Sequence, residues 1–174
     1  MTTLEPRTNL RQNKLLRPSR TLDTRCSADA KASGWRSLTQ AVRSAVRAIE
    51  EAVLRPVARR DAGLAFEPRT LLALLSYCYA RDIYGSADIE DVLRRDANFR
   101  LICNNEFPGA RVIRRFRREN RETLHRCLSI ALRSLEEVGP QTVSAEAAEA
   151  ARAEDVSRRI MKAMFIDSME TDWE

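Results

Sequence analysis

Between Glu106 and Arg126 the chain carries seven arginines and three glutamates, without a single lysine. Guanidinium is planar and donates hydrogen bonds in pairs, a geometry suited to phosphate oxygens and to the edge of guanine. Five of these arginines, Arg111, Arg114, Arg115, Arg118 and Arg121, fall on one side of a helical repeat. Ile113, Phe116, Asn120, Leu124, Cys127 and Ala131 recur on the other side at spacings of three and four. Such a helix can lock its apolar flank into a core and offer its arginines to a polyanion. An ordinary solvated helix face has the same pattern, so periodicity alone leaves both readings open.

Little else in the sequence offers chemistry. His125 is the only histidine, which argues against nucleophilic triads and histidine-rich metal sites. No GxxxxGK[ST] or GxGxxG loop is present to cradle phosphates. The acidic pairs Glu50-Glu51 and Glu136-Glu137 lie on separate helices and read as solvated faces. No catalytic residue, cofactor or metal is therefore expected. Cys26, Cys78, Cys103 and Cys127 are far apart with no CxxC pair, and Cys78 and Cys127 sit on apolar faces. Free cysteines of that kind suit a reducing compartment. With no apolar run of transmembrane length and no apolar leader, the expectation is a soluble cytoplasmic, nucleoid-associated protein with no membrane partner.

The elements that must position the arginines read as helices throughout. Apolar residues make up 44% of the 174-residue chain, enough for a real core, and strand-like alternation is hard to find. Residues 1–33 form a basic arm, expected to be disordered, with seven basic and three acidic groups. Trp35, Leu38, Val42, Ala45, Ile49 and Val53 mark a first amphipathic helix, with Arg36, Arg43 and Arg47 turned away from the stripe. After Gly63, Pro68 is placed to open a helix through Tyr79 that is apolar on nearly every side and so is surrounded. Ser86 reads as the cap of the next helix, with Ile89, Val92, Leu93 and Ala97 inward. Asp96 or Asn98 starts a short continuation that Asn104-Asn105 ends. The arginine helix then runs from Ala110 to Val138, closed by Gly139-Pro140. Ser144 starts a last helix whose apolar end is Val156, Ile160, Met164 and Phe165. The fold class is all-α, a compact fold of about five to six helices in all, divided into a helical domain over residues 34–140 and an acidic helix and tail over 141–174.

Four motifs in order carry a resemblance. They are Phe66-Glu-Pro-Arg-Thr-Leu-Leu-Ala-Leu-Leu-Ser-Tyr-Cys-Tyr-Ala80, Ser86-Ala-Asp-Ile-Glu90, Asp96-Ala-Asn-Phe-Arg100, and Pro108 leading to Ile113-Arg-Arg-Phe-Arg-Arg118. The stretch from Phe66 to Leu128 resembles the InsH-type N-terminal domain of insertion-sequence transposases, of the DDE superfamily. The resemblance implies a helix-turn-helix-like core that binds element ends, with Arg111, Arg114, Arg115 and Arg118 at the nucleic acid. In that family a ribonuclease-H-like catalytic domain follows, with three acidic metal ligands. The 35 residues after Gly139 are too few to build one, so this chain is expected not to cut or join DNA by itself. Gly109 replaces the family's acidic residue after the turn proline, and Asp82 replaces the glycine after the long apolar helix.

Charge agrees with the resemblance. Residues 1–65 carry 13 basic and 6 acidic groups, residues 66–140 carry 13 and 11, and residues 141–174 carry 4 and 8. A basic body points to a polyanion. The expected partner is double-stranded DNA, the terminal inverted repeats of an element, with a homodimer or a full-length transposase as a further partner. The chain then reads as a remnant, the first half of a split transposase, or a regulator. The competing reading is a helical protein–protein interaction module whose last helix docks a partner and whose arginines only confer solubility.

Overall fold

A computed structural model describes residues 37–58, 65–136 and 144–171. The basic arm 1–33, Trp35, Arg36, Cys26, Gly63 and the Gly139-Pro140 stop lie outside the described residues. Those that are described form seven α-helices, a 3-10 turn and one short antiparallel ladder. Helix α1 covers residues 37–47 and buries Leu38, Ala41, Val42, Ala45 and Val46. Its stripe ends sooner than the spacing predicts. Glu50 is extended (φ −67°, ψ 134°), the chain enters a 3-10 turn over Glu51–Val53, and Val53 is left exposed. Strands β1 (Val57–Ala58) and β2 (Ala65–Phe66) pair Val57 with Phe66 and Ala58 with Ala65.

Helix α2, Pro68–Ala80, is the centre of the molecule. Pro68 occupies its first turn, where a missing N–H costs nothing, and every residue from Thr70 to Tyr79 except Ala73 is buried. Its end is a left-handed cap: Asp82 has φ 60°, and Ile83 N–H reaches back to Cys78 O at 2.9 Å. Glycine takes that conformation without strain. Asp82 offsets part of the strain through its carboxylate, which accepts bonds from Tyr84 Oη–H (2.6 Å) and Arg159 Nη1–H (3.1 Å).

Around α2 stand α3 (Ser86–Arg95), α4 (Ala97–Ile102), α5 (Ala110–Glu119), α6 (Arg121–Glu136) and α7 (Ala145–Thr171). α2 packs on α4, α5 and α6; α3 packs on α4 and α5; α7 lies along α6. Ile113, Phe116, Leu124, Cys127 and Ala131 enter one continuous core with Leu71, Leu74 and Leu75 from α2 and Val156, Ile160 and Ala163 from α7. Asn104 (φ 51°) and Asn105 (φ 59°) end α4 in the left-handed region that asparagine tolerates. Ser144 Oγ accepts a bond from Ala147 N–H and caps α7.

Three sequence expectations are corrected here. The arginine helix is not continuous to Val138 but breaks at Asn120 (φ −120°, ψ 26°), which raises the number of helices to seven. The buried Asn120 side chain competes for main-chain groups: Nδ2–H donates to Phe116 O and Arg55 O, and Oδ1 accepts from Arg55 N–H at 2.7 Å. Ser86 is not a cap. Gly85 holds the N-cap position, and Ser86 is buried because its hydroxyl serves a polar cluster inside the fold. On α7, Met164 and Phe165 face outward, and Val156, Ile160, Ala163 and Asp167 form the inward stripe. A carboxylate takes the inner position because a buried arginine awaits it.

Candidate nucleic-acid interface

Helix α5 owes its start to a distant acid. Gly109 is its N-cap and has no side chain to offer, but Glu90 Oε2 on α3 accepts the Ala110 N–H at 2.6 Å. A carboxylate at that end is favoured by the helix dipole, and Arg117 and Arg118 stand in the last turn where the dipole favours cations. Ile113 and Phe116 are fully buried and fix which way the helix faces. The opposite side therefore carries the arginines. Arg111, Arg115 and Arg118 are exposed, Arg114 is half-buried, and Arg121 is exposed at the start of α6, just past the break.

Four of these five side chains, Arg111, Arg114, Arg118 and Arg121, form no ion pair with another described residue, whereas Arg115 Nε–H bonds Glu119 Oε1 at 2.7 Å. Arg114 lies within electrostatic reach of Glu170 on α7. The Glu170 carboxyl is raised above its ordinary range by burial and by the nearby Asp167 and Asp88 carboxylates, with Arg114 pulling the other way. Arg111 to Arg118 is a ridge of two turns, roughly 10 Å long, comparable with a groove contact.

Arg117, between them in sequence, has another fate: it is 2% exposed. Nη1–H bonds the Asp167 carboxylate and Ala163 O, Nη2–H bonds Tyr84 O (3.1 Å) and Ser86 Oγ (3.0 Å), and the guanidinium stands 5.5 Å from the centre of the Tyr79 ring. Ser86 donates both its N–H and its hydroxyl to Asp167. This cluster binds α3, α5 and α7 together directly beneath the ridge. A signal for it existed, since Arg117 is four residues after Ile113 and so falls on the apolar stripe. Its partner, fifty positions away, had no such signal.

His125 Nε2 lies 3.1 Å from Ser157 Oγ and 3.3 Å from Ala153 O, a structural tie between α6 and α7. An open cleft of about 270 Å³ beside it is lined by Arg121, Glu122, His125, Ser157 and Ile160. Among the described residues no group of three or more His, Cys, Asp or Glu could hold a metal ion, and no helix is long and apolar enough to cross a membrane.

Residues 30–119 match the family described as Transposase domain (DUF772), over half the chain. The chain belongs to that transposase domain family. The matched stretch takes in α1 to α5 and stops at the Asn120 break, so Arg111, Arg114, Arg115 and Arg118 lie within it, while Arg121 and α7 lie beyond. No curated protein and no solved structure matches this transposase domain.

Proposed function

We propose that this transposase domain binds duplex DNA at the ends of its element, with α5 as the reading helix and α3 as its support in a helix-turn-helix-like arrangement. In this reading the described residues bind DNA, and strand transfer belongs to a catalytic part of InsH-type, DDE-superfamily character. One observation carries the reading: Arg111, Arg114 and Arg118 stand unpaired among the described residues on the outer side of a helix whose other side is fully buried. The link from α3 to α5 is longer than an ordinary helix-turn-helix turn, because α4 and residues 103–109 intervene. Phosphate contacts supply affinity, and any base reading comes from the paired donors of the same arginines.

Fluorescence anisotropy on duplex DNA tests this. With about five arginines on phosphates, log K falls with log[salt] at a slope near −4 to −5. Replacing Arg114, Arg115 and Arg118 together by alanine abolishes binding and leaves the helical circular dichroism unchanged. A slope near zero, or a triple variant that binds as tightly as the parent, removes the mechanism. Selection from a random duplex pool then separates recognition of element ends from general DNA affinity.

A further inference from the structure

Phe107 stands just ahead of helix α5 and is 54% exposed, on a segment that is otherwise tied down. Behind it Cys103 is fully buried, and Asn105 N–H bonds Arg100 O and Glu106 N–H bonds Cys103 O, both at 2.8 Å. Asn104 Nδ2–H reaches Thr70 Oγ1 at 3.4 Å. Ahead of it Pro108 is buried, and Glu90 holds the Ala110 N–H. The backbone on both sides of the ring is thus fixed, and the fold itself presents the ring to solvent. We infer that Phe107 determines specificity: its ring meets the C5-methyl group of a thymine in the major groove that α5 enters. The inference rests on the DNA-binding reading above.

The start of α5 does not need the ring. An apolar residue just outside a helix ordinarily packs on the fourth helical residue. Here that outer position is Pro108, directly before the N-cap Gly109, and the fourth residue is Ile113; both are buried. Phe107 is left over, and a ring in water gains nothing until something apolar covers it. Position and charge say what does. Phe107 is four residues before Arg111, so even a fully extended chain would set them no more than ~14 Å apart. It therefore shares any footprint in which the arginine ridge meets DNA. It also lies at the N-terminal end of α5, the end that contacts base edges in helix-turn-helix proteins. Of the acids at that end, Glu90 is engaged by the Ala110 N–H and by Arg94, and Glu106 keeps one carboxylate oxygen buried, which lessens their repulsion of a polyanion. The major groove is lined by polar groups apart from the thymine methyl, and phenylalanine is suited to meet that methyl.

Selection of duplexes from a random pool by the full chain enriches at least one thymine position. On a recovered duplex, replacing that thymine by deoxyuridine removes only the methyl, and the chain then binds about 4-fold more weakly, the worth of one buried methyl. Phe107→Ala binds the thymine duplex as weakly as the parent binds the deoxyuridine one, and no longer tells the two apart. Its salt slope and melting temperature match the parent's, because the ring is exposed and carries no charge. Phe107→Leu, still apolar, keeps part of the thymine preference. A parent indifferent to the methyl overturns the proposal, as does a Phe107→Ala chain that still discriminates between the duplexes. A pool in which no thymine is enriched overturns it as well. In each of those cases salt-dependent binding by the arginine ridge survives and the DNA-binding reading stands. A chain with no affinity for duplex DNA removes both.

Discussion

Six arginines crowd one short stretch, and the backbone sends them to two environments. Arg111, Arg114, Arg115, Arg118 and Arg121 keep water or lie near its edge, whereas Arg117 is enclosed with Asp167. Taking a guanidinium out of water costs several kcal/mol, which is offset here by a carboxylate, a hydroxyl and two carbonyl oxygens. Removing one partner strands the other. Arg117→Ala is expected to destabilise the fold by about 3–5 kcal/mol in urea unfolding, because Asp167 is left buried and charged. The double change Arg117→Met with Asp167→Leu should cost much less, since neither charge remains. Equal losses in the two variants would mean that the ion pair is not what holds α7 to α5. A single alanine at Arg111 or Arg118 should shift stability by no more than about 0.5 kcal/mol.

At the level of elements, what distinguishes the arginine segment is its break. Asn120 is still inside the periodic stripe, and its backbone N–H still reaches Phe116 O at 2.9 Å. Its side chain draws on the same carbonyl and also clamps both main-chain groups of Arg55. One asparagine thus stops α5, starts α6 and pins the segment before β1. Asn120→Ala should cost about 0.5–1.5 kcal/mol by removing the part-buried bonds to Arg55 N–H and O. It should also let α5 and α6 run together, which a rise in the helical circular dichroism would report. Asp82 acts similarly at the end of α2, where a left-handed residue doubles as an anchor for Arg159 of α7.

Over the whole molecule, α7 is part of the same core as α2 and α6. Three free cysteines and three tyrosines sit in that interior. Burial pushes the Cys103 thiol up to about 12 and the Cys127 thiol up to about 11, from an ordinary 9.0; it also raises Cys78 and Tyr79, and takes Tyr84 to about 12. A raised thiol keeps its proton when folded and loses it when unfolded. The unfolded chain therefore binds fewer protons above pH 9, and stability falls as pH rises from there toward 11–12. Chemical unfolding from pH 7 to 11 should show a level course to about pH 9 and then a decline. The same thiols should resist alkylation in the native state at pH 8.

The amino-acid order alone determined a good deal. Helical periodicity placed Ile113, Phe116, Leu124, Cys127 and Ala131 inside and Arg111, Arg115 and Arg118 outside, because a helix with one apolar flank has only one stable facing. The unbroken apolar run of α2 marked the centre for the same reason. What needed the third dimension were contacts between residues far apart in the chain. The Asn120 break depends on Arg55, the buried Arg117 on Asp167, the placement of Ser86 on that same pair, and the start of α5 on Glu90. A period of three and four reports which flank is apolar, but not which buried polar group will meet a partner. Only packing decides that, since the cost of an unpaired buried charge forces the partner into place.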